Sequence, residues 1–379
     1  MSSDNSLELW KLNLENLVGQ HPLQIISWEA TRRCNLSCLH CGSPSEDSEL
    51  GEELTTDEVI EAFHQIAEDF DMSEFRHINI TGGEPTVRKD LIDVLKEISR
   101  YPFYRNIDIQ SNGIRLGMNP SLYEDLQKNG VTGIGISIDG LRQSHDNFRN
   151  RSGGYELAFR AAKEAVERGF EVTVSTVAHA LNVNEIPALY KEVKTEIRPR
   201  IFRIMTLDPL GRAKTNSDYL LSPDQTKGVI EFLMSEYITN CENYANPKET
   251  MVELGCGGWL GQELEGMIRP YIFHCIAGIN NLGILFDGKI AACSNIPREE
   301  GSIEGDLRKE RIIDIWENRY QKHRNFDWKK QDECKTCSEW DYCHGGPMHK
   351  RLKDGKMTDC LFQTVANGKD YRACMRDIK

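Results

Sequence analysis

Apolar, β-rich runs recur at residues 23–28, 77–80, 107–109, 133–138, 172–177 and 201–207, and amphipathic helical patterns lie between them. Val59-Ile60-x-x-Phe63-x-x-Ile66 follows Thr56, with Asp57 and Glu58 in the first turn, where the helix dipole favours acids. Leu91-Ile92-x-x-Leu95-x-x-Ile98, Leu157-Ala158-x-x-Ala161 and Ile186-x-x-Leu189-Tyr190-x-x-Val193 repeat the 3.6 period. Six strand-then-helix units of ~30 residues predict a parallel sheet with right-handed crossovers. Six strands are too few for a closed eight-stranded barrel. The pattern therefore predicts an α/β fold, a partial (β/α)6 TIM-like barrel over residues 23–215, with its chemistry at the C-terminal strand ends. An N-terminal segment (1–22) precedes it; a linking helical segment (216–255) and a cysteine-rich extension (256–379) follow.

Composition narrows the function. The 379 residues are 39% apolar, yet no stretch approaches the ~20 consecutive apolar residues of a membrane span. Met1-Ser2-Ser3-Asp4-Asn5 does not open a secretory signal. The formal charge of −13 argues against nucleic-acid or anionic-membrane partners and leaves a cytoplasmic protein as the expectation. Twelve cysteines are too dilute for a small disulfide scaffold. Cys34, Cys38 and Cys41 form one knot; the other nine crowd the last third of the chain. Two separate knots in a reducing compartment point to metal.

The first knot follows the first strand. Cysteines at i, i+4 and i+7 match one face of a helix, but Asn35, Ser37 and Gly42 suit a loop. Three thiolates without a fourth ligand nearby do not meet the needs of structural zinc. They suit a 4Fe–4S cluster with one open iron. C-x3-C-x2-C at this position resembles the radical S-adenosylmethionine (SAM) superfamily, which implies that the open iron chelates the amino and carboxylate groups of SAM. Thr81-Gly82-Gly83-Glu84-Pro85 at the end of strand two is similar to the family's GGE motif. The resemblance implies close backbone approach at Gly82 and Gly83, with Glu84 accepting from the SAM ammonium. It also implies that Ser111 and Asn112 after strand three, and Ser137, Asp139 and Arg149 around strand four, line the SAM site. Ser137 would reach the ribose or carboxylate and Arg149 the methionyl carboxylate, while Leu207 packs the adenine.

The second knot reads Cys275-x12-Gly288-x4-Cys293, then Cys334-x2-Cys337-x5-Cys343 and Cys360. It resembles the SPASM extension of radical SAM enzymes, which carries auxiliary 4Fe–4S clusters. By that resemblance Cys334, Cys337, Cys343 and Cys360 hold one cluster. Cys275 and Cys293, placed together by a hairpin turning at Asp287-Gly288-Lys289, belong to a second, with Cys256 as third thiolate. The chain departs from the family pattern at Pro347, where a further cysteine is expected, so either Cys374 completes this cluster or an iron stays open. Cys241 is expected mid-helix as an ordinary thiol. The competing reading of this region is a zinc ribbon using Cys334, Cys337, Cys343 and His344 or Cys360.

The resemblance implies an oxidoreductase that cleaves SAM reductively to a 5′-deoxyadenosyl radical and abstracts hydrogen from an unactivated C–H bond. Auxiliary clusters suit an electron exit, hence oxidative modification or cross-linking of a ribosomal peptide or protein. The alternatives are oxidation or epimerisation of a sugar or aminocyclitol, and a non-catalytic electron carrier. Expected partners are a flavodoxin- or ferredoxin-type reductant and, because ~22 residues before the first strand are too few for a leader-binding domain, either a separate leader-peptide recognition protein or leader capture by the barrel and SPASM surfaces. Ser294 stands where sulfatase maturases carry a catalytic aspartate. His344, Asp139 and Ser294 are the candidate general bases, with Tyr342 and Glu339 behind them.

Overall fold

The computed structural model describes residues 3–43, 52–243, 245–246, 248–298, 301–352 and 354–372. β-Branched residues at alternate positions build its central sheet: β1 (Ile25–Thr31), β2 (His77–Gly82), β3 (Ile107–Ser111), β4 (Val131–Ser137), β5 (Glu171–Ala178) and β6 (Ile201–Thr206) pair in parallel, in chain order. Ile26, Trp28, Ile78, Ile80, Ile107, Ile109, Ile134 and Ile136 are buried in one core with the helices between strands. Residues of the opposite parity and the strand ends, including Glu29, Thr81, Gln110 and Ser137, face the barrel interior.

The outer layer comprises α2 (Thr56–Asp69), α3 (Leu91–Ile98), α4 (Ile114–Met118), α5 (Ser121–Lys128), α6 (Arg142–Phe148), α7 (Gly154–Glu167) and α8 (Ile186–Glu196). The cap of α2 is Thr55. Thr55 Oγ1 accepts from the Glu58 N–H at 3.2 Å, and its own N–H donates to Glu58 at 2.8 Å, a closed capping box. Upstream of the barrel, α1 (Ser3–Gln20) docks on the C-terminal region: Leu7 is buried against Trp259 and Phe273, and Trp10 stacks on Trp259 at 6.0 Å.

The sheet does not stop at six strands. β7 (Met251–Leu254) adds in parallel to β6, and β8 (Asn281–Ile284) adds in parallel to β1 on the opposite edge. β9 (Lys289–Ala291) and β10 (Ile303–Asp306) continue it antiparallel, giving the order β10-β9-β8-β1-β2-β3-β4-β5-β6-β7. Both edges of the open barrel are thus covered by short strands from the linking and cysteine-rich segments, which removes unpaired edge groups from β1 and β6. The linking segment holds α9 (Pro223–Asn240), started by a Ser222–Gln225 capping box, and then β7. Cys241 is not mid-helix: α9 ends at Asn240, and Cys241 is exposed in the next turn. Among the described residues no helix is long and apolar enough to cross a membrane.

Candidate active site

The loop after β1 carries Cys34, Cys38 and Cys41, and it is a loop rather than a helix face. Backbone bonds to neighbouring strand ends hold it. The Gly83 N–H donates to Thr31 O at 2.7 Å and the Glu84 N–H to Arg33 O at 2.9 Å. From the far side of the barrel, Arg212 donates Nε to Cys38 O at 2.7 Å and its backbone N–H to Cys41 O at 2.9 Å. The two glycines are required by space. A Cβ at Gly82 (φ +145°) would lie 2.2 Å from Thr31 O, and one at Gly83 2.4 Å from Arg33 O. Burial pushes the Cys34 thiol up to about 11 and raises Cys38 as well. Such thiols ionise when a cationic centre compensates them, as iron does.

Above this loop opens a cavity of about 1000 Å³. Its walls include Gly82, Gly83, Ser111, Asn112, Ser137, Arg149 and Leu207, all read from the sequence as SAM-site residues, together with the three cysteines. Glu84 and Asp139 are not on that wall. Glu84 is fully buried and accepts from Thr86 N at 3.2 Å, Thr86 Oγ1 at 2.6 Å, Ser111 Oγ at 2.9 Å and Asn112 N at 2.7 Å. Three of these donors fall on Oε1 and one on Oε2, so Glu84 ties the ends of β2 and β3 together. Asp139 is fully buried; its Oδ2 accepts from Arg149 Nε at 2.8 Å and Nη2 at 2.7 Å, and its Oδ1 from Val177 N at 2.8 Å. Burial pushes its pKa up, but Arg149, His40 and His145 outweigh this and hold it at about 2. It aims Arg149 into the cavity and is no base.

The C-terminal cysteines fall into two groups. Cys334, Cys337, Cys343 and Cys360 surround a small void with Trp259, Trp340 and Met357. Burial raises the thiols of Cys343 and Cys360, the latter to about 12. Cys256 follows β7, Cys275 precedes β8 and Cys293 follows β9. They are near enough for Cys275 and Cys293 to add to the effect of burial in raising Cys256. The β8–β9 turn forms as expected, with Gly288 N–H donating to Leu285 O at 3.0 Å. Among the described residues no three His, Cys, Asp or Glu side chains converge as a single metal ion requires. Thiols set around a void fit a cube of iron and sulfide. Cys374 lies outside the described residues.

Of the candidate bases, only Ser294 lines the cavity. His344 does not: its left-handed backbone after the turn Trp340–Cys343 carries the ring onto Phe326, at 4.8 Å. Glu339 accepts from the Trp259 indole at 2.9 Å and Tyr342 stacks on Trp259, both structural roles. Sequence reading missed Asp208 and His349, which meet on the cavity wall with Asp208 Oδ2 3.1 Å from His349 Nε2. Lys350, 1% exposed, bridges Asp208 (3.2 Å) and Asp359 (2.6 Å). Asp208 sits just past β6, where barrel chemistry is expected; nothing local in the chain marks His349.

Residues 28–193 match the Radical SAM superfamily and residues 275–338 match the SPASM iron–sulfur cluster-binding domain. The Fe-coproporphyrin III synthase of Methanosarcina barkeri is 30% identical over 55% of this chain and half of its own length. The AdoMet-dependent heme synthase of the same organism is 26% identical over 85% of this chain and 90% of its own. The PqqA peptide cyclase of Rhizobium meliloti is 25% identical over 84% and 80%. In fold, the chain is similar to native anSMEcpe with bound AdoMet and Kp18Cys peptide, with a TM-score of 0.70 at 20% identity over 94% and 99% of the two chains.

Proposed function

The chain belongs to the radical SAM superfamily and carries a SPASM domain, and from this we propose that it oxidises a C–H bond of a peptide held in the cavity between the barrel mouth and the C-terminal cysteines. The enzyme takes a SAM-binding 4Fe–4S cluster and auxiliary clusters. Cys34, Cys38 and Cys41 would hold the first; Cys334, Cys337, Cys343 and Cys360, and the group of Cys256, Cys275 and Cys293, would hold the others. When bound, cluster and SAM supply a 5′-deoxyadenosyl radical that removes a hydrogen atom from the substrate. The protein contributes position and exclusion of water. Gly82 and Gly83 present bare backbone to SAM, Arg149 is aimed by Asp139, and Leu207 gives an apolar wall.

The cavity itself carries this reading. At about 1000 Å³ it reaches from the first cysteine knot to Cys256, His349 and Ser294. That is the upper end of the ~300–1,000 Å³ range of small-molecule pockets, room for SAM and a second reactant. The peptide class draws support from the peptide cyclase, which aligns along most of both chains. A flavodoxin- or ferredoxin-type reductant and a separate leader-recognition protein belong to the same reading.

The second reading is an anionic small molecule such as a tetrapyrrole, favoured by the heme synthase relative and by Arg149, Arg298 and Arg351 on the wall. Those guanidiniums are already engaged by Asp139, by Glu29, and by the carbonyls of Gly345 and Lys329, which favours the peptide. Reduced, cluster-loaded enzyme with SAM is to be offered Cys- and Ser-containing peptides and, separately, coproporphyrin. Loss of two hydrogens from a peptide, with 5′-deoxyadenosine formed, supports the proposal. Turnover of the tetrapyrrole alone contradicts it.

A further inference from the structure

We propose that His349, aimed by Asp208, is the proton acceptor of the oxidation and takes the proton of the sulfur, oxygen or nitrogen (X) bonded to the attacked carbon. This deepens the peptide reading and rests on it for the X–H group.

Other candidate groups on the cavity wall are already engaged. Glu29 accepts from the Phe286 N–H at 3.3 Å and pairs with Arg298. Asp287 accepts from the Lys289 N–H at 3.3 Å and faces Arg298 at 3.5 Å. His40 belongs to the cysteine loop and lies flat on Phe148, with ring centroids 4.3 Å apart. Ser294 offers a hydroxyl, which is not among the side chains that ordinarily serve as bases. His349 differs from all of these. Its Nε2 lies 3.1 Å from Asp208 Oδ2, and its Nδ1 has no partner among the described residues. Burial pushes the Asp208 carboxyl up, but Lys350 and His349 outweigh this and hold it at about 2. The ionised carboxylate can only accept, so Nε2 carries the proton of the neutral ring and Nδ1 keeps its lone pair. The segment is also held from behind. Lys350 ties Asp208 to Asp359, and Thr358 donates its N–H at 2.9 Å and its hydroxyl at 3.1 Å to Lys350 O. An imidazole on a cavity wall, with one nitrogen fixed by a carboxylate and the other unoccupied, has the geometry of a general base.

The step balances. Once the carbon has lost its hydrogen atom to the 5′-deoxyadenosyl radical, one unpaired electron remains on it. The X–H bond breaks and its proton goes to Nδ1. Of the three electrons left on carbon and X, two form the second C–X bond and the third goes to an oxidised auxiliary 4Fe–4S cluster. Nδ1 then returns its proton to water. His349 and Cys256 share the wall, so proton and electron leave on the same side of the cavity.

The test uses the full, cluster-loaded chain with SAM, a flavodoxin-type reductant and the Cys- or Ser-containing peptides. His349→Gln should lower the oxidised peptide formed per 5′-deoxyadenosine about 100-fold, the lower end of what a positioned base contributes. His349→Gly should show the same loss, and added imidazole should restore product about tenfold in it and in no other variant. Asp208→Asn, which can turn an N–H toward the ring and reverse its tautomer, should lower the same ratio. A second measurement needs no variant. Diethyl pyrocarbonate acylates unprotonated imidazole, and mass spectrometry of the unsubstituted enzyme should find His349 acylated, and shielded severalfold once SAM and peptide are bound. Unchanged coupling in His349→Gln, no rescue of an iron-replete His349→Gly, or equal acylation with and without peptide overturns the assignment and leaves the peptide reading standing. Peptides left untouched by the unsubstituted enzyme overturn both.

Discussion

Glu84 accepts the Asn112 backbone N–H at 2.7 Å, and the Asn112 side chain in turn donates to Asn35 at 2.7 Å and points to Cys34 Sγ at 3.8 Å. The acid of the GGE motif thus supports the cysteine loop through β3. Glu84→Gln turns an amide NH2 toward at least one of four donors, at a cost of about 1–3 kcal/mol. Denaturant unfolding and iron content should both fall. Weaker SAM binding with stability and iron unchanged would restore Glu84 to the cofactor site.

Gly83 is where the β2 end meets the cysteine loop. In Gly83→Ala the new methyl meets Arg33 O at 2.4 Å and Arg32 O at 2.6 Å, both backbone atoms that can move only with the loop. Overpacking of this kind costs roughly 1–3 kcal/mol, and the displaced thiols should leave the reconstituted enzyme short of about four irons. Iron analysis of the purified variant checks this.

Lys350 joins the barrel to the C-terminal region through Asp208 and Asp359. Lys350→Met keeps the stem and leaves two carboxylates without their cation, a loss of about 3 kcal/mol. Asp208, now held at about 2 against the upward push of burial by Lys350 and His349, should titrate higher. Unfolding midpoints at pH 7 measure the first effect, and carboxylate infrared bands followed through acid titration measure the second.

His145 is fully buried, and its Nδ1 accepts the Asp139 N–H at 3.1 Å, which requires the neutral ring. Burial, with Arg149 adding to it, lowers its pKa to about 4. The unfolded chain titrates near ~6.5, so below that pH it binds a proton the folded state refuses, and stability falls as the solution is acidified toward pH 4. The drop from pH 7 to pH 5 should be about 2 kcal/mol from this group. His145→Gln should lower stability at pH 7 and remove that part of the slope in paired denaturation curves.

The six barrel strands were legible because each buries a long apolar face, and the cysteine groups because their spacing is local. β7 was not, and β8 was legible only as an arm of its hairpin and not as a partner of β1: four residues carry too little periodicity, and the pairing with β6 and β1 is decided by the open edges. Spacing also located Glu84 and Asp139 without giving their direction, which hydrogen bonds to Asn112 and Arg149 determine. Asp208 and His349 come from distant parts of the chain, and only the folding of the C-terminal region over β6 brings them together.

The most direct test of the account is hyperfine spectroscopy of the reduced enzyme with SAM labelled at its amino nitrogen and carboxylate carbon. Both labels should couple to a cluster signal that disappears when Cys34, Cys38 and Cys41 are changed to alanine. Absence of coupling in the unsubstituted enzyme, or coupling that survives those substitutions, would contradict it.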